Sequence, residues 1–388
     1  MTAGADVGRV IYLDNNATTR VDERVIEAML PLLRERYGNP SSTHHFGAQV
    51  TADIEQARSA VATLIGARDS EIVFTSGGTE ADNAALRGVL SAVPQKRHLV
   101  VSAVEHAAIL DTAAALEREG VRVTRVGVDK AGRVEPEAVA AAITDDTALI
   151  SIMLANNETG VIAPLDDICK AAAARGVPVH TDAVNALGKM PVDVQELGVS
   201  LLSLSAHKIH GPKGVGALYV RRGTPFRAQQ VGGHQERDRR GGTLNAPGIA
   251  ALGAACEILR DSSAACCAAM LKLRDRLERG LLERFERIMI LGESAMRLPN
   301  TTCACIAGVE AEAVLLLLSE RGICASSGAA CSSGSLEASH VVQAMAVPAE
   351  YAHGQLRFSL GRENTEADVD ALLETLPAVV EKVAGANA

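Results

Sequence analysis

Seven short apolar runs constrain this chain more than any other feature: EIVFT, HLVVSAV, VRVTRVGV, TALISIML, VPVHTD, LLSLSA and VGALYV. They are rich in Val, Ile and Leu and nearly continuous, the pattern of strands covered on both faces. Between several of them lie Ala-rich stretches with helical patterning: TEADNAALRGVLSAV, ILDTAAALEREG, EPEAVAAAI and LDDICKAAAARG. Each opens near an acidic or Ser/Thr residue. Two close on Gly120 and Gly176, the residue type that best tolerates the left-handed backbone after a last helical turn. Alternation of this kind predicts an α/β fold with a mostly parallel, doubly wound seven-stranded sheet.

The texture changes near residue 250. A long helical run, with breaks, is predicted over about 247–287. Shorter strand-like pieces follow, TTCACIAG and QLRFSLGR, around a Ser/Gly-rich loop, ASSGAACSSGSLEASH. This reads as a smaller α+β domain completed by the N-terminal segment. The expected division is residues 15–260 for the large domain and 1–14 with 261–388 for the small one, which carries the loop at about 325–339. A length of 388 residues suits two domains.

Charge and aromatic content narrow the function classes. With 38 basic against 47 acidic side chains, a net charge of −9 and 2% aromatics, the chain lacks the basic patches and stacking platforms that nucleic acid requires. No apolar run approaches the roughly 18–20 residues of a membrane span. The first residues include Asp6 and no long apolar core, so no secretory signal is expected, nor a lipid anchor at GANA; the expectation is a cytoplasmic protein.

Eight cysteines need an account. Without an export signal a disulfide framework is not expected. The spacings miss the C-x-x-C pairs of structural zinc, and His180 and Asp182 have no third ligand at metal spacing, so no metal is expected. Cys169, Cys256, Cys266, Cys267, Cys303, Cys305 and Cys324 read as small core residues. Cys331 differs, with ten Ser, Gly or Ala residues around it in 325–335. It is a reachable thiol or a loop cysteine without a role.

Several residues follow apolar strands, where parallel sheets place ligands. The turn Ser76–Glu80 offers backbone N–H groups to an anion at a helix start, or is an ordinary strand–helix turn. Asp182 closes VPVHTD as a ligand carboxylate or as a cap. Lys208, after LLSLSA, is a desolvated Schiff-base amine or a turn lysine. His106 is a proton-transfer group or a structural histidine, Arg357 a carboxylate fork or an ion-pair partner. Asn156 and Asn157 close another strand and cap a turn. Taken together, a lysine amine, a strand-end carboxylate and an anion cradle are what pyridoxal 5'-phosphate needs.

The stretches YLDNNATT, YGNPSSTHHFG, FTSGGTEADN, NNETGVI, SAHKIHGPKGVGALYV, RRGGTLN, ASSGAACSSGSLE and RFSLGR occur in one order along the chain. Through them it resembles the NifS/IscS-type cysteine desulfurases, fold-type-I pyridoxal phosphate enzymes of the class-V aminotransferase family. The 325–340 loop and AHGQLRFSLGR are more similar to the NifS branch of nitrogen-fixing bacteria.

The resemblance implies the following roles. Lys208 forms the internal aldimine, and Asp182 pairs with the pyridinium nitrogen. Gly78, Thr79, Ser205 and His207 hold the phosphate, joined by Thr243 from a second subunit of a homodimer. His106 lies over the ring, moves protons and helps to deprotonate the substrate thiol. Asn156, also a cofactor contact, and Arg357 fix the substrate carboxylate, with Asn39 in the same pocket. Cys331 is the nucleophile that takes sulfur from L-cysteine, leaves L-alanine, and passes the sulfur to an iron–sulfur scaffold protein, nitrogenase supply being implied by the NifS branch. The family usually has Gln where Asn185 stands, so the hydrogen bond expected at the cofactor's 3-oxygen starts one methylene short. Rival readings are a selenocysteine lyase, an aminotransferase, which gives no reason for the Cys331 loop, and a catalytically silent scaffold of the same fold.

Overall fold

The computed structural model describes residues 9–328 and 338–386; Cys331 lies outside them. After a two-residue strand β1 (Ile11–Tyr12), each of the seven apolar runs forms a strand. These are β2 (Ile72–Thr75), β3 (His98–Ser102), β4 (Arg122–Val126), β5 (Thr147–Ser151), β6 (Val179–Asp182), β7 (Leu201–Ser205) and β8 (Gly216–Val220). They make one sheet in the order β2-β8-β7-β6-β5-β3-β4. Only β8 runs against its neighbours.

Every residue of β3, β5, β7 and β8 is buried, which is why those runs show no polar alternation. Successive residues serve opposite layers. Leu99 and Val101 pack under helices Gly78–Ala92 and Ala107–Arg118, while Val100 faces the layer of helices His45–Leu64 and Leu165–Ala173. At the edge, β4 exposes Arg122 and Arg125, and such charges discourage pairing with another chain.

Three further strands, β9 (Ile288–Ile290), β10 (Thr301–Ile306) and, after the short β11 (Ile323–Cys324), β12 (Gln355–Ser359), form a second, antiparallel sheet. It is covered by helices Ala311–Ser319 and Glu366–Ala386. A single helix, Ala246–Arg284, serves both cores. Ile249, Leu252 and Leu259 pack in the first, and Met270, Leu273 and Leu277 in the second.

The breaks expected in that helix are absent over its 39 residues. Gly253, inside this helix, is there for contact: a Cβ on it would lie 2.7 Å from Ala57 Cα on the neighbouring helix. Gly120 and Gly176 do end helices, at φ +87° and +63°. Cys169, Cys256, Cys303 and Cys305 are buried, and Cys266, Cys267 and Cys324 half-buried; all seven are free thiols. Among the described residues, no helix is long and apolar enough to cross a membrane.

Candidate active site

The carboxyl ends of β2, β6 and β7 open onto a cavity of about 330 Å³, within the range of small-molecule sites. Its walls include Gly78, Thr79, His106, Asp182, Asn185, Ser205, His207, Lys208 and Arg357. Gly328 also lines it, the last described residue before the segment that holds Cys331.

Each functional side chain is set by its element. Asp182 ends β6 and turns back to accept the Val184 N–H at 2.8 Å. Burial raises its pKa, and His106, that N–H and Lys208 pull it back. A second carboxylate, Asp82 on helix Gly78–Ala92, is also buried in the wall. Burial pushes it well above the usual range, with Asp182 and Glu105 adding to the effect. Two neighbouring carboxylates do not readily ionise together, and the nearby His106 and Lys208 favour the charged form at Asp182.

Lys208 closes a short 3-10 turn after β7. Its Nζ donates to the Ala17 carbonyl at 3.0 Å and to that of Asn16. His207 is held neutral: burial lowers its pKa to about 4, helped by Lys208, Lys213 and Lys189. His106 caps helix Ala107–Arg118, its Nδ1 accepting the Ala108 N–H at 3.1 Å. That bond selects the neutral tautomer with the proton on Nε2. As a neutral ring His106 therefore donates at Nε2, and taking a proton there from a thiol would cost the cap.

Arg357, in β12, is buried. It donates to Asp14 at 2.9 Å and to the Asn157 carbonyl at 3.2 Å, and its Nε has no hydrogen-bond partner among the described residues. A fork so held, with a donor unspent, suits a carboxylate ligand.

Three expected residues stand elsewhere. Asn156 needs correction, since its side chain is spent on its own loop: Nδ2 donates to the Val104 carbonyl, and Oδ1 accepts the N–H groups of Glu158 and Thr159. Its neighbour Asn157 lines the cavity instead. Asn39 is exposed before helix His45–Leu64, its Oδ1 accepting the Ser41 N–H at 2.9 Å. Thr243 is exposed and outside this cavity. Sequence reasoning also missed Asn16, Ala17 and Asp82 in the wall. The stretches YLDNNATT and FTSGGTEADN contain all three and were the available signal.

The walls fit pyridoxal 5'-phosphate. The helix opening at Gly78 has no side-chain cap, and a Cβ on Gly78 would reach within 2.7 Å of Val184 Cγ2. Backbone N–H groups are thus bare for an anion, with Ser205 and neutral His207 beside them. Lys208 supplies the amine and Asp182 the carboxylate.

Comparison with known proteins agrees. The family described as aminotransferase class-V matches residues 11–372. A cysteine desulfurase of Trichormus variabilis is 51% identical over 378 residues, covering 96% of this chain and 94% of that protein. Another, from Sinorhizobium fredii, is 51% identical over 377 residues and 97% of each chain. Among solved structures, a NifS-like protein superposes with a TM-score of 0.90 at 39% identity, over 96% of this chain and all of the other. SspA in complex with cysteine superposes with a TM-score of 0.80 at 33% identity, over 91% and 99%.

Proposed function

The chain belongs to the class-V aminotransferase family and is a cysteine desulfurase, and from that premise we propose that Cys331 takes the sulfur of L-cysteine as a persulfide and leaves L-alanine. The observation that carries this reading is the single cavity in which Lys208, Asp182, the Gly78–Thr79 turn and Arg357 meet, with the chain lining it at Gly328, three positions before Cys331.

Pyridoxal 5'-phosphate, when bound, supplies a ring that withdraws electrons from the substrate α-carbon. Asp182 holds the proton at its ring nitrogen. Gly78, Thr79, Ser205 and His207 bind its phosphate, with Thr243 of a second subunit in a homodimer. Lys208 Nζ is the amine that takes the cofactor and later moves the substrate α-proton. Arg357 grips the substrate carboxylate; Asn157 takes the place beside it expected for Asn156, and Asn39 joins them only on moving inward. His106 exchanges protons at Nε2.

The Cys331 thiolate attacks the substrate sulfur. The S–S bond forms as the C–S bond breaks, and the electron pair stays on carbon, where a proton completes alanine. An iron–sulfur scaffold protein then accepts the sulfur, with nitrogenase supply as the NifS-type setting. Seven free thiols among the described cysteines suit the reducing cytoplasm. The division at 15–260 and 1–14 with 261–388 belongs to the same reading, supported by the change of core along helix Ala246–Arg284.

Incubation with L-cysteine is expected to release alanine and to leave a persulfide on Cys331, read by mass spectrometry. Cys331→Ala keeps the cofactor's visible band and loses the persulfide; full sulfur transfer by that variant would overturn the role of Cys331.

A further inference from the structure

Lys189 lies in the turn after β6, behind the cavity wall, with 6% of its surface exposed. Its Nζ meets amides: it donates to Asn185 Oδ1 at 2.7 Å and to Asn16 Oδ1 at 3.1 Å. Lys208, Arg357 and the Cys267 thiol are the charged or titratable groups facing it, and burial together with the two cations drives its pKa well below the lysine range. Buried lysines are rare because they are costly. This one is tied to two side chains that line the cavity, while it does not line the cavity itself.

The Asn16 amide is fixed by its other end, where Nδ2 donates to Thr301 Oγ1 at 2.9 Å and to the Asn157 carbonyl at 3.1 Å. Asn185 has no such anchor. Its Nδ2 reaches only the Asn156 carbonyl among the described residues, at 3.4 Å. Lys189 is therefore what decides which end of the Asn185 amide meets the cavity. We propose that Lys189 is a positioning residue: by holding Asn185 Oδ1 it presents the Asn185 N–H2 group to the cavity as a donor for an anionic oxygen of the bound cofactor.

The proposal rests on the pyridoxal phosphate reading, and the test separates the two. The measurement is the pH midpoint at which the visible band of the cofactor-loaded protein changes. A donor to an anionic oxygen favours the deprotonated form, so losing it raises the midpoint. Lys189→Met is expected to raise it by about one pH unit, the size of one hydrogen bond to a charged group. Asn185→Ala gives the same rise, and the double variant shows no further rise. Lys189→Gln, which keeps a donor, lies between Lys189→Met and the wild type.

An unchanged midpoint in Lys189→Met, or a rise that adds in full to that of Asn185→Ala, overturns the proposal alone. Wild-type protein that takes up no pyridoxal phosphate overturns both readings. Should Lys189→Met fail to fold, Asn185→Ala must still raise the midpoint and Lys189→Gln must fall between it and the wild type; a wild-type midpoint in Asn185→Ala overturns the proposal.

Discussion

Glu105 shows how one buried group sets the pH response of the fold. Its Oε1 accepts from Ser102 Oγ at 2.6 Å and from the Met153 N–H at 2.9 Å, while Oε2 is buried with no hydrogen-bond partner among the described residues. Burial pushes its pKa up to about 8; the two hydrogen bonds oppose that and nearby Asp182 adds to it. The folded protein therefore keeps a proton that the unfolded chain releases above about pH 4.5. The unfolded state binds fewer protons in this window, so stability falls as pH rises from there to about 8, by up to about 1.4 kcal/mol per pH unit from this group. Glu105→Gln keeps the acceptor and removes the titration. Urea midpoints of the variant should fall less between pH 5 and pH 8 than those of the wild type; parallel curves would refute the assignment. The cysteines give a second expectation. Burial pushes the thiols of Cys169, Cys256 and Cys303 up to about 12, and that of Cys305 further. Brief alkylation of native protein at pH 7 should leave these four unlabelled in peptide mass spectra. At this scale sequence reading has a definite limit. Lys208 and Asp182 were legible because a strand end announces itself, but Asn156 and Asn157 differ only in which way the backbone turns each amide, and nothing in the letters NN carries that.

The seven runs were legible as strands because burial on both faces leaves an apolar string, and the helices because their caps and terminal glycines mark the ends. Sheet order, and the reversal of β8, were not: they depend on pairing between residues as distant as Phe74 and Ala217. Nor was the turn after β8 that holds Glu236, Arg237 and Asp238 at φ of 50°, 56° and 61°. Left-handed backbone costs about 1–2 kcal/mol per such residue, and one buried pair secures it. Arg58 meets both oxygens of Glu236 at 2.8 Å, Glu236 Oε2 also accepts the Phe74 N–H, and the guanidinium lies 4.6 Å from the centre of the Phe74 ring. Glu236→Gln leaves buried Arg58 with the exposed Glu55 carboxylate, 3.0 Å from its Nε, as its remaining counter-ion, a loss of about 3 kcal/mol in unfolding free energy, the lower end for a broken buried pair. Because this turn leads to Thr243, proposed to hold the phosphate in a second subunit, the same variant should weaken cofactor retention measured by dialysis. A variant that unfolds and retains cofactor like the wild type would show that the pair does not hold the turn.

The two cores meet at the site through the segment 11–22 as well as through helix Ala246–Arg284. β1 pairs with β11, Asp14 bridges Ser359 and binds Arg357, and the carbonyls of Asn16 and Ala17 hold Lys208. Further along, the Thr19 and Asp22 N–H groups donate to the carbonyls of His207 and His210. Arg357, proposed to grip the substrate, lies in β12 of the smaller sheet and Lys208 follows β7 of the larger one, so this strap sets their relation. Asn16 is its most connected residue. Its buried amide accepts from Lys189 and Asn300 and donates to the Asn157 carbonyl and Thr301 Oγ1. Asn16→Ala removes all four of these bonds, although each partner keeps one other: Lys189 keeps Asn185, Asn300 the Leu360 carbonyl, the Asn157 carbonyl Arg357, and Thr301 Oγ1 the Asn300 Oδ1. At about 0.5–1.5 kcal/mol net for each of the four hydrogen bonds lost, the expected loss is about 2–6 kcal/mol. Asn245→Ala removes the exposed cap of a helix and a long, exposed bond to the Gly214 carbonyl and should cost about 1 kcal/mol. If the strap couples the cores, Asn16→Ala also raises KM for cysteine, because Arg357 and Lys208 no longer share a fixed frame. A stability loss no larger than that of Asn245→Ala, with KM unchanged, would place the coupling in the long helix alone.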